Sequence, residues 1–589
     1  MKLATGALLA FFILQNPLPG TQQSQVPTAS MEGIVLLADS GDPVAKAQVI
    51  LTRTVPPPAP GANPATPVTP PPTIPPVITD ASGKFSFKDL EPGTYRLAVT
   101  KNGFVRNEYG SRTTGTSGAP ITLPAGQSMK DISFRLVATA AVSGRIRTSS
   151  GEPGAAMNIQ LLRAAYNVQG QRTFQAVSSG RTDDRGDYRL FWITPGRYFV
   201  SVGGNSSAIM TDASGGSVLF LSTGLVDASS TNVATVYYPG TTDPLRATTI
   251  EVGPGGELPS IDIVLPEQQV YRVRGRVVDT STGLPPRTAS ISLVPRDSAF
   301  SGLISNIPPN YNGNTGTFDM RSVPPGNYWL RAQATESTAT AVITPNAVGR
   351  TVSDALSMAI TPRTAAQRPL DVAADMEGVV LELGPGISIP GSLRVEGAPL
   401  PTTPGPRVAL RPTNVNGLAS PLLPINADGT FTLTNVMPGE YRVSVLGMPV
   451  DYFVKEARIE QTDALNDPWV ITGPVRGSLN VVVSSAAGQV EGTVTDSRLQ
   501  GVSALTTVLI PDQHRDRTDL LRTTVTDQSG KFTMRGIAPG AYKVFAWEAL
   551  EPNAYFDPQI LRQYEDQGKP IRVVEGGKVT AEVKMIPAK

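Results

Sequence analysis

Along most of its length the chain alternates large apolar with polar residues at a period of two, the pattern of strands that bury one face. The clearest run is Lys84-Phe85-Ser86-Phe87-Lys88, with Phe85 and Phe87 on one face and Lys84, Ser86 and Lys88 on the other. Five segments repeat it in a single register: 79–99, 182–202, 312–332, 425–445 and 526–546. Their turn glycines are Gly83, Gly186, Gly316, Gly429 and Gly530. Two residues on stand Phe85, Tyr188, Phe318, Phe431 and Phe532, and four on Phe87, Leu190, Met320, Leu433 and Met534. Leu90, Ile193, Val323, Val436 and Ile537 follow at seven, Pro-Gly at nine and ten, and Tyr95, Tyr198, Tyr328, Tyr441 and Tyr542 at twelve. No copy needs a gap.

The Asp/Asn-x-x-Gly start predicts a turn in which the Asx side chain holds nearby backbone N–H groups and glycine supplies a positive φ. Pro-Gly predicts a second turn, so the unit reads as an antiparallel strand pair with one buried face. Such a pair is marginal alone and needs more strands. Upstream of each copy lies a short β-run opened by a glycine, at 32–52, 143–162, 274–294, 390–410 and 491–510. Downstream lies a closing alternating strand at 132–137, 261–266, 378–383, 479–484 and 579–585. The full unit has the size and rhythm of a small β-sandwich.

These boundaries predict a first sandwich at 32–140, a second at 141–270, a third at 271–388, a fourth at 389–488 and a fifth at 489–589. A proline-rich loop (55–77) interrupts the first and a Ser/Gly-rich loop (205–232) the second. The linkers are short, so neighbouring units are expected to touch end to end in a semi-rigid rod. Ahead of them, Lys2, an apolar run from Leu3 to Leu14, and Pro17 and Gly20 read as a secretory signal over 1–20, with a short linker at 21–31. That run is shorter than the ~20 apolar residues a spanning helix needs. The mature chain is expected to be secreted or periplasmic, without a transmembrane segment.

Composition narrows the chemistry. Glycine (56) and proline (54) are abundant and aromatics are 6%, which disfavours a helical bundle. Lys+Arg (50) balance Asp+Glu (49) and no basic run occurs, so nucleic acid is not expected as a partner. With no cysteine and one histidine, His514, there is no thiolate chemistry and no multi-histidine metal site.

The order G-x-V, T-D-x-x-G-x-F, L-x-P-G-x-Y-x-L-x-V, seen best in TDASGKF with LEPGTY and TDQSGKF with IAPGAY, resembles the carboxypeptidase regulatory-like domain. The resemblance implies a transthyretin-like (prealbumin-like) fold. The fold class is then all-β, a tandem array of five Ig-like or transthyretin-like antiparallel β-sandwiches after an N-terminal signal peptide. In that family the module sits beside catalytic carboxypeptidase domains, on outer-membrane receptors or in strings on bacterial surface proteins. The zinc chemistry of its title needs two histidines, which this chain lacks.

His514, in the polar run PDQHRDR, reads as a surface residue. Asp80, Asp183, Asp428 and Asp527 sit in turns, and only Asp183, Asp184 and Asp187 approach the carboxylate density of a calcium loop. Asx-turn structure is the competing explanation. Arg185-Gly186-Asp187 spells an adhesion tripeptide around the turn glycine. The repeated tyrosine predicts a corner, with ring buried and hydroxyl bonded to backbone. Outside the register, Tyr237-Tyr238, Tyr452-Phe453 and Tyr555-Phe556, with Trp192, Trp329, Trp469 and Trp547, are candidate platforms for sugar rings or packing surfaces for a neighbouring unit. The expected function is non-catalytic binding at the cell envelope, with no cofactor and a polysaccharide or an envelope protein as partner. A structural or adhesive stalk that binds protein is the alternative.

Overall fold

The computed structural model describes residues 28–54, 74–112, 117–167, 170–203, 209–211, 217–219, 235–267, 269–296, 310–334, 364–401, 405–413 and 423–588. The expected signal (1–20), residues 21–27 of the linker and most of the 55–77 and 205–232 loops lie outside them, while Ala29–Met31, read as linker, open the first strand. Strands appear at the end of the first loop, where Val77–Ile78 pairs with Gln48–Val49, and inside the second, where Ile209–Thr211 pairs with Ser217–Leu219.

The chain is all-β, built as successive sandwiches, each closed on its own apolar cluster. In the first, one sheet holds Lys84–Leu90, Ala29–Leu37 and Ser128–Leu136, and the other is centred on Gln48–Thr54 and Gly93–Thr100. Phe85, Phe87 and Phe134 from one sheet meet Leu51, Leu97 and Ile121 from the other. The same plan recurs in the second, fourth and fifth units. In the third, both sheets are joined into one seven-stranded path where Thr364–Val372 pairs with Met376–Pro385.

Two details correct the sequence expectation. The strands flanking Pro-Gly are not a hairpin. Lys84–Leu90 pairs with the opening strand Ala29–Leu37, whereas Gly93–Thr100 pairs with Gln48–Thr54 in the opposite sheet. The repeat is therefore a corner between sheets, and both strands turn their apolar face to one core from opposite sides. Nor is the sandwich wholly antiparallel, because each closing strand runs parallel to its opening strand, as Leu36 opposite Arg135 and Val494 opposite Val583 show.

The opening glycine is required by close approach. A Cβ on Gly275 would lie 2.0 Å from the Val379 carbonyl and 2.6 Å from the Phe318 ring. The corner tyrosine closes each unit: the hydroxyls of Tyr95, Tyr198, Tyr328, Tyr441 and Tyr542 donate to carbonyls four residues back, at 2.5 to 3.0 Å. In three copies a buried threonine ahead of the turn adds a clamp. Thr79, Thr182 and Thr526 each donate to a carbonyl at 2.7 Å and accept a backbone N–H at 2.8 to 2.9 Å.

The fifth unit carries an element that the alternation did not predict. Between Trp547 and Lys569 the chain forms short helical turns, including Pro558–Arg562. They lay Leu561 and Tyr564 over Phe545 and Trp547 on the outer face of the sheet. That layer and the unit's own turn reach back to the start of the chain. The Pro552 carbonyl accepts the Tyr166 N–H at 3.1 Å, Asn553 Nδ2 donates to the Tyr166 carbonyl at 3.3 Å, and Arg112 pairs with Glu548 at 3.0 Å. The fifth unit thus rests on the first and second, and the end-to-end rod expected from linker length does not form.

Candidate functional site

The expected sugar platforms are mostly packing surfaces. Tyr237 is 4% exposed and shares a second apolar cluster with Leu162, Phe174 and Phe199, so its ring offers no face to a ligand. Tyr238 is half-buried against the second core, and Tyr452 against the fourth. Tyr555 and Phe556 belong to the helical layer itself and are half-buried in its apolar cluster, with Tyr555 stacked on Trp547 at 6.5 Å between ring centres. Tyr237, Tyr555 and Phe556 cover the outer face of a sheet within their own unit, whereas Tyr238 and Tyr452 pack at the margin of the main cores. Phe453 lines a cavity of about 760 Å³ between the fourth and fifth units, alongside Lys455, His514, Arg517 and Glu575. His514 itself is exposed.

The calcium candidates are occupied by the turn. Asp183 accepts the Arg185 and Asp187 N–H groups at 2.9 and 2.8 Å. Asp187 is gripped by Arg145 through both oxygens, at 2.5 and 3.0 Å, and that guanidinium holds its carboxyl below the usual range. Asp184 is exposed beside them. Among the described residues no group of three or more His, Cys, Asp and Glu is placed to hold a metal ion. Asp80 and Asp527 make the same turn, each accepting two backbone N–H groups, and in the fourth copy this register position is Asn426 rather than Asp428.

The exception is Trp192. It lies six residues after the turn glycine, where every copy inserts one extra residue into its strand; in the second, Leu190 faces Val142 and Ile193 faces Ala140. All five copies hold this position left-handed: Asp89, Trp192, Ser322, Asn435 and Gly536 have φ of 55°, 55°, 61°, 58° and 73°. Glycine, Asn and Asp adopt that region readily, and a large ring does not. Strain of this kind costs about 1–3 kcal/mol and concentrates where a side chain must be aimed. The bulge aims Trp192 outward, leaving it 77% exposed with Phe191 at 51%.

Trp192 forms one wall of a cleft of about 490 Å³ between the first and second units. Lys101, Phe104, Arg106, Glu108 and Thr139 line the rest. Lys101 Nζ donates to the Ala45 carbonyl at 3.0 Å and lies 5.6 Å from the centre of the Phe104 ring. Arg106 and Glu108 approach to 3.5 Å, and the Gly118 N–H donates to Glu108 at 3.0 Å. The Thr139 N–H donates to the Gly103 carbonyl at 2.9 Å, tying the end of the first unit to its own 101–104 turn at the edge of the cleft. Beyond Trp192 a smaller cavity of about 190 Å³ runs past Arg163, Gln175 and Tyr198. An indole between two hollows, with hydroxyls and cations around it, can stack on a flat ligand and hydrogen-bond its rim.

The residues that frame this cleft from the first unit are those of a known module. Residues 30–137 match the carboxypeptidase regulatory-like domain. The other four units share the register of this regulatory-like domain, from turn glycine to corner tyrosine. No curated protein matches the chain. Among solved structures it is similar to the TIE protein of Bacillus anthracis, at 10% identity and TM-score 0.14 over 75% of this chain and 73% of that one. The minor pilin GBS52 of Streptococcus agalactiae gives 11% and 0.22 over 41% and 97%. The major pilin subunit of Bacillus cereus gives 11% and 0.14 over 61% and 100%. Likeness at these scores carries nothing about function. No helix among the described residues is long and apolar enough to cross a membrane.

Proposed function

We propose that the chain is an exported, non-catalytic binding protein of the cell envelope, in which five domains divided near 140, 270, 388 and 488 form the scaffold and polysaccharide is the ligand. The observation that carries this reading is Trp192. Shared positions of the repeat build turns and cores, and one copy breaks the rule by exposing a large aromatic at a strained position beside an interdomain cleft. Export rests on the N-terminal run of Lys2 and Leu3 to Leu14. Contacts of the fifth unit with the first and second count against an extended stalk.

Co-sedimentation with insoluble polysaccharides, including peptidoglycan, cellulose and chitin, tests the reading. The exported chain is expected to leave the supernatant with at least one of them in a saturable manner. Failure with every polysaccharide, together with capture of a defined envelope protein, would favour the structural or adhesive alternative and overturn this one.

A further inference from the structure

We infer that the cleft between the first two units binds an acidic saccharide, a pyranose chain bearing carboxylates, with Trp192 as the stacking platform and Lys101 and Arg106 as the carboxylate partners. The inference rests on the polysaccharide-binding reading and narrows its ligand. Three independent observations meet at this place. The register shows that the bulge position needs only a small or flexible residue, since Asp89, Ser322, Asn435 and Gly536 serve it elsewhere. The indole is therefore not there to make the corner. Nor does it serve the core, because it is 77% exposed while Leu190 and Ile193 on either side of the bulge are buried.

The cleft supplies the remaining selectivity. Its volume of about 490 Å³ falls within the ordinary range for small-ligand sites, roughly 300–1,000 Å³. Two cations and one carboxylate line it, and that carboxylate, Glu108, is engaged by Arg96, Arg106 and the Gly118 N–H. Its field therefore favours an anion. Thr139 and Asn102 add hydroxyl and amide groups at the rim. A sugar ring presents one C–H-rich face to an indole and hydroxyls around its edge, which matches one flat wall and a polar rim. The basic side chains then discriminate a uronate from a neutral hexose of the same shape.

Calorimetric titration of the exported chain with trigalacturonate, and with cellotriose as the neutral counterpart, tests the inference. Saturable binding of trigalacturonate is expected, stronger than that of cellotriose. Trp192→Asn installs the residue that the fourth copy uses, so thermal unfolding should hold or rise while affinity for trigalacturonate falls roughly tenfold or more, the scale of a lost stacking contact. The double change Lys101→Gln with Arg106→Gln should erase the preference for trigalacturonate and spare the cellotriose signal.

Unchanged affinity in Trp192→Asn overturns the inference, as does unfolding of the second unit in that variant, which would make the ring structural. Absence of trigalacturonate binding in a chain that polysaccharide still retains removes this site and leaves the broader reading. A chain retained by no polysaccharide removes both.

Discussion

Gln528 and Thr122, 406 residues apart, are joined by two hydrogen bonds: the Thr122 N–H donates to Gln528 Oε1, and Gln528 Nε2 donates to the Thr122 carbonyl, both at 3.1 Å. The amide of Gln528 thereby serves the edge strand Ile121–Leu123 as a further strand would. Together with the Arg112–Glu548 pair and the two bonds at Tyr166, it seats the fifth unit on the first two.

The absence of native cysteine makes this seat easy to probe. With Thr122→Cys and Gln528→Cys, a short bismaleimide should give an intramolecular cross-link in high yield at nanomolar protein. A cross-link that forms only between molecules would contradict the contact.

The corner tyrosines offer a stability test that isolates one hydrogen bond. Tyr542→Phe removes the donor to the Ala538 carbonyl, 2.8 Å away, and leaves the buried ring. The expected loss is about 0.5–1.5 kcal/mol, confined to the fifth unit. Hydrogen exchange followed by mass spectrometry should show faster exchange in Gly540–Trp547 and no change in the equivalent strand Gly93–Thr100.

A larger effect belongs to Thr526, which is fully buried and bonds the Val502 carbonyl and the Leu505 N–H at once. Thr526→Val keeps the shape and strands both backbone groups, at a cost of about 1–3 kcal/mol. Exchange at Leu505 should accelerate more than anywhere in Tyr542→Phe. An effect no larger than that of the tyrosine change would refute the clamp.

Acid should loosen the helical layer before the sheets. Glu565 is gripped by Arg515 at 3.0 and 2.8 Å and by Lys543 at 2.6 Å, and the Arg515 contact leads in pulling its carboxyl down to about 2. A depressed folded value means that the contribution is full above the ordinary 4.5 and is lost as pH falls from there toward 2. Near-ultraviolet circular dichroism, sensitive to the stacked Trp547 and Tyr555, should change across that window. Glu565→Gln should lose the part of the acid dependence that comes from this carboxylate.

How much was legible follows from what periodicity encodes. A period of two tells which face of Phe85 and Phe87 is buried, and five registered copies locate the turns and the corner tyrosines. It does not tell which strand lies alongside. Lys84–Leu90 and Gly93–Thr100 bury the same residues whether paired as a hairpin or split between sheets, so the corner was invisible. The pattern leaves Tyr237 and Phe556 open, because an aromatic outside the register can cover the outer face of a sheet, as both do here, as well as meet a ligand. Trp192 did leave a signal, since the aligned residues are Asp, Ser, Asn and Gly. Its meaning depended on the sign of φ, which the sequence does not display. The seat of the fifth unit rests on Gln528 and Asn553, polar residues in no repeating pattern.

Small-angle X-ray scattering of the exported chain tests most directly whether five domains fold back to place the Trp192 cleft within a single body. The account predicts a distance distribution with one broad maximum that reaches zero well short of five sandwiches in line, broadened by Gln528→Ala with Glu548→Ala and Asn553→Ala. A long, nearly linear tail in the unaltered chain, indifferent to those substitutions, would contradict it.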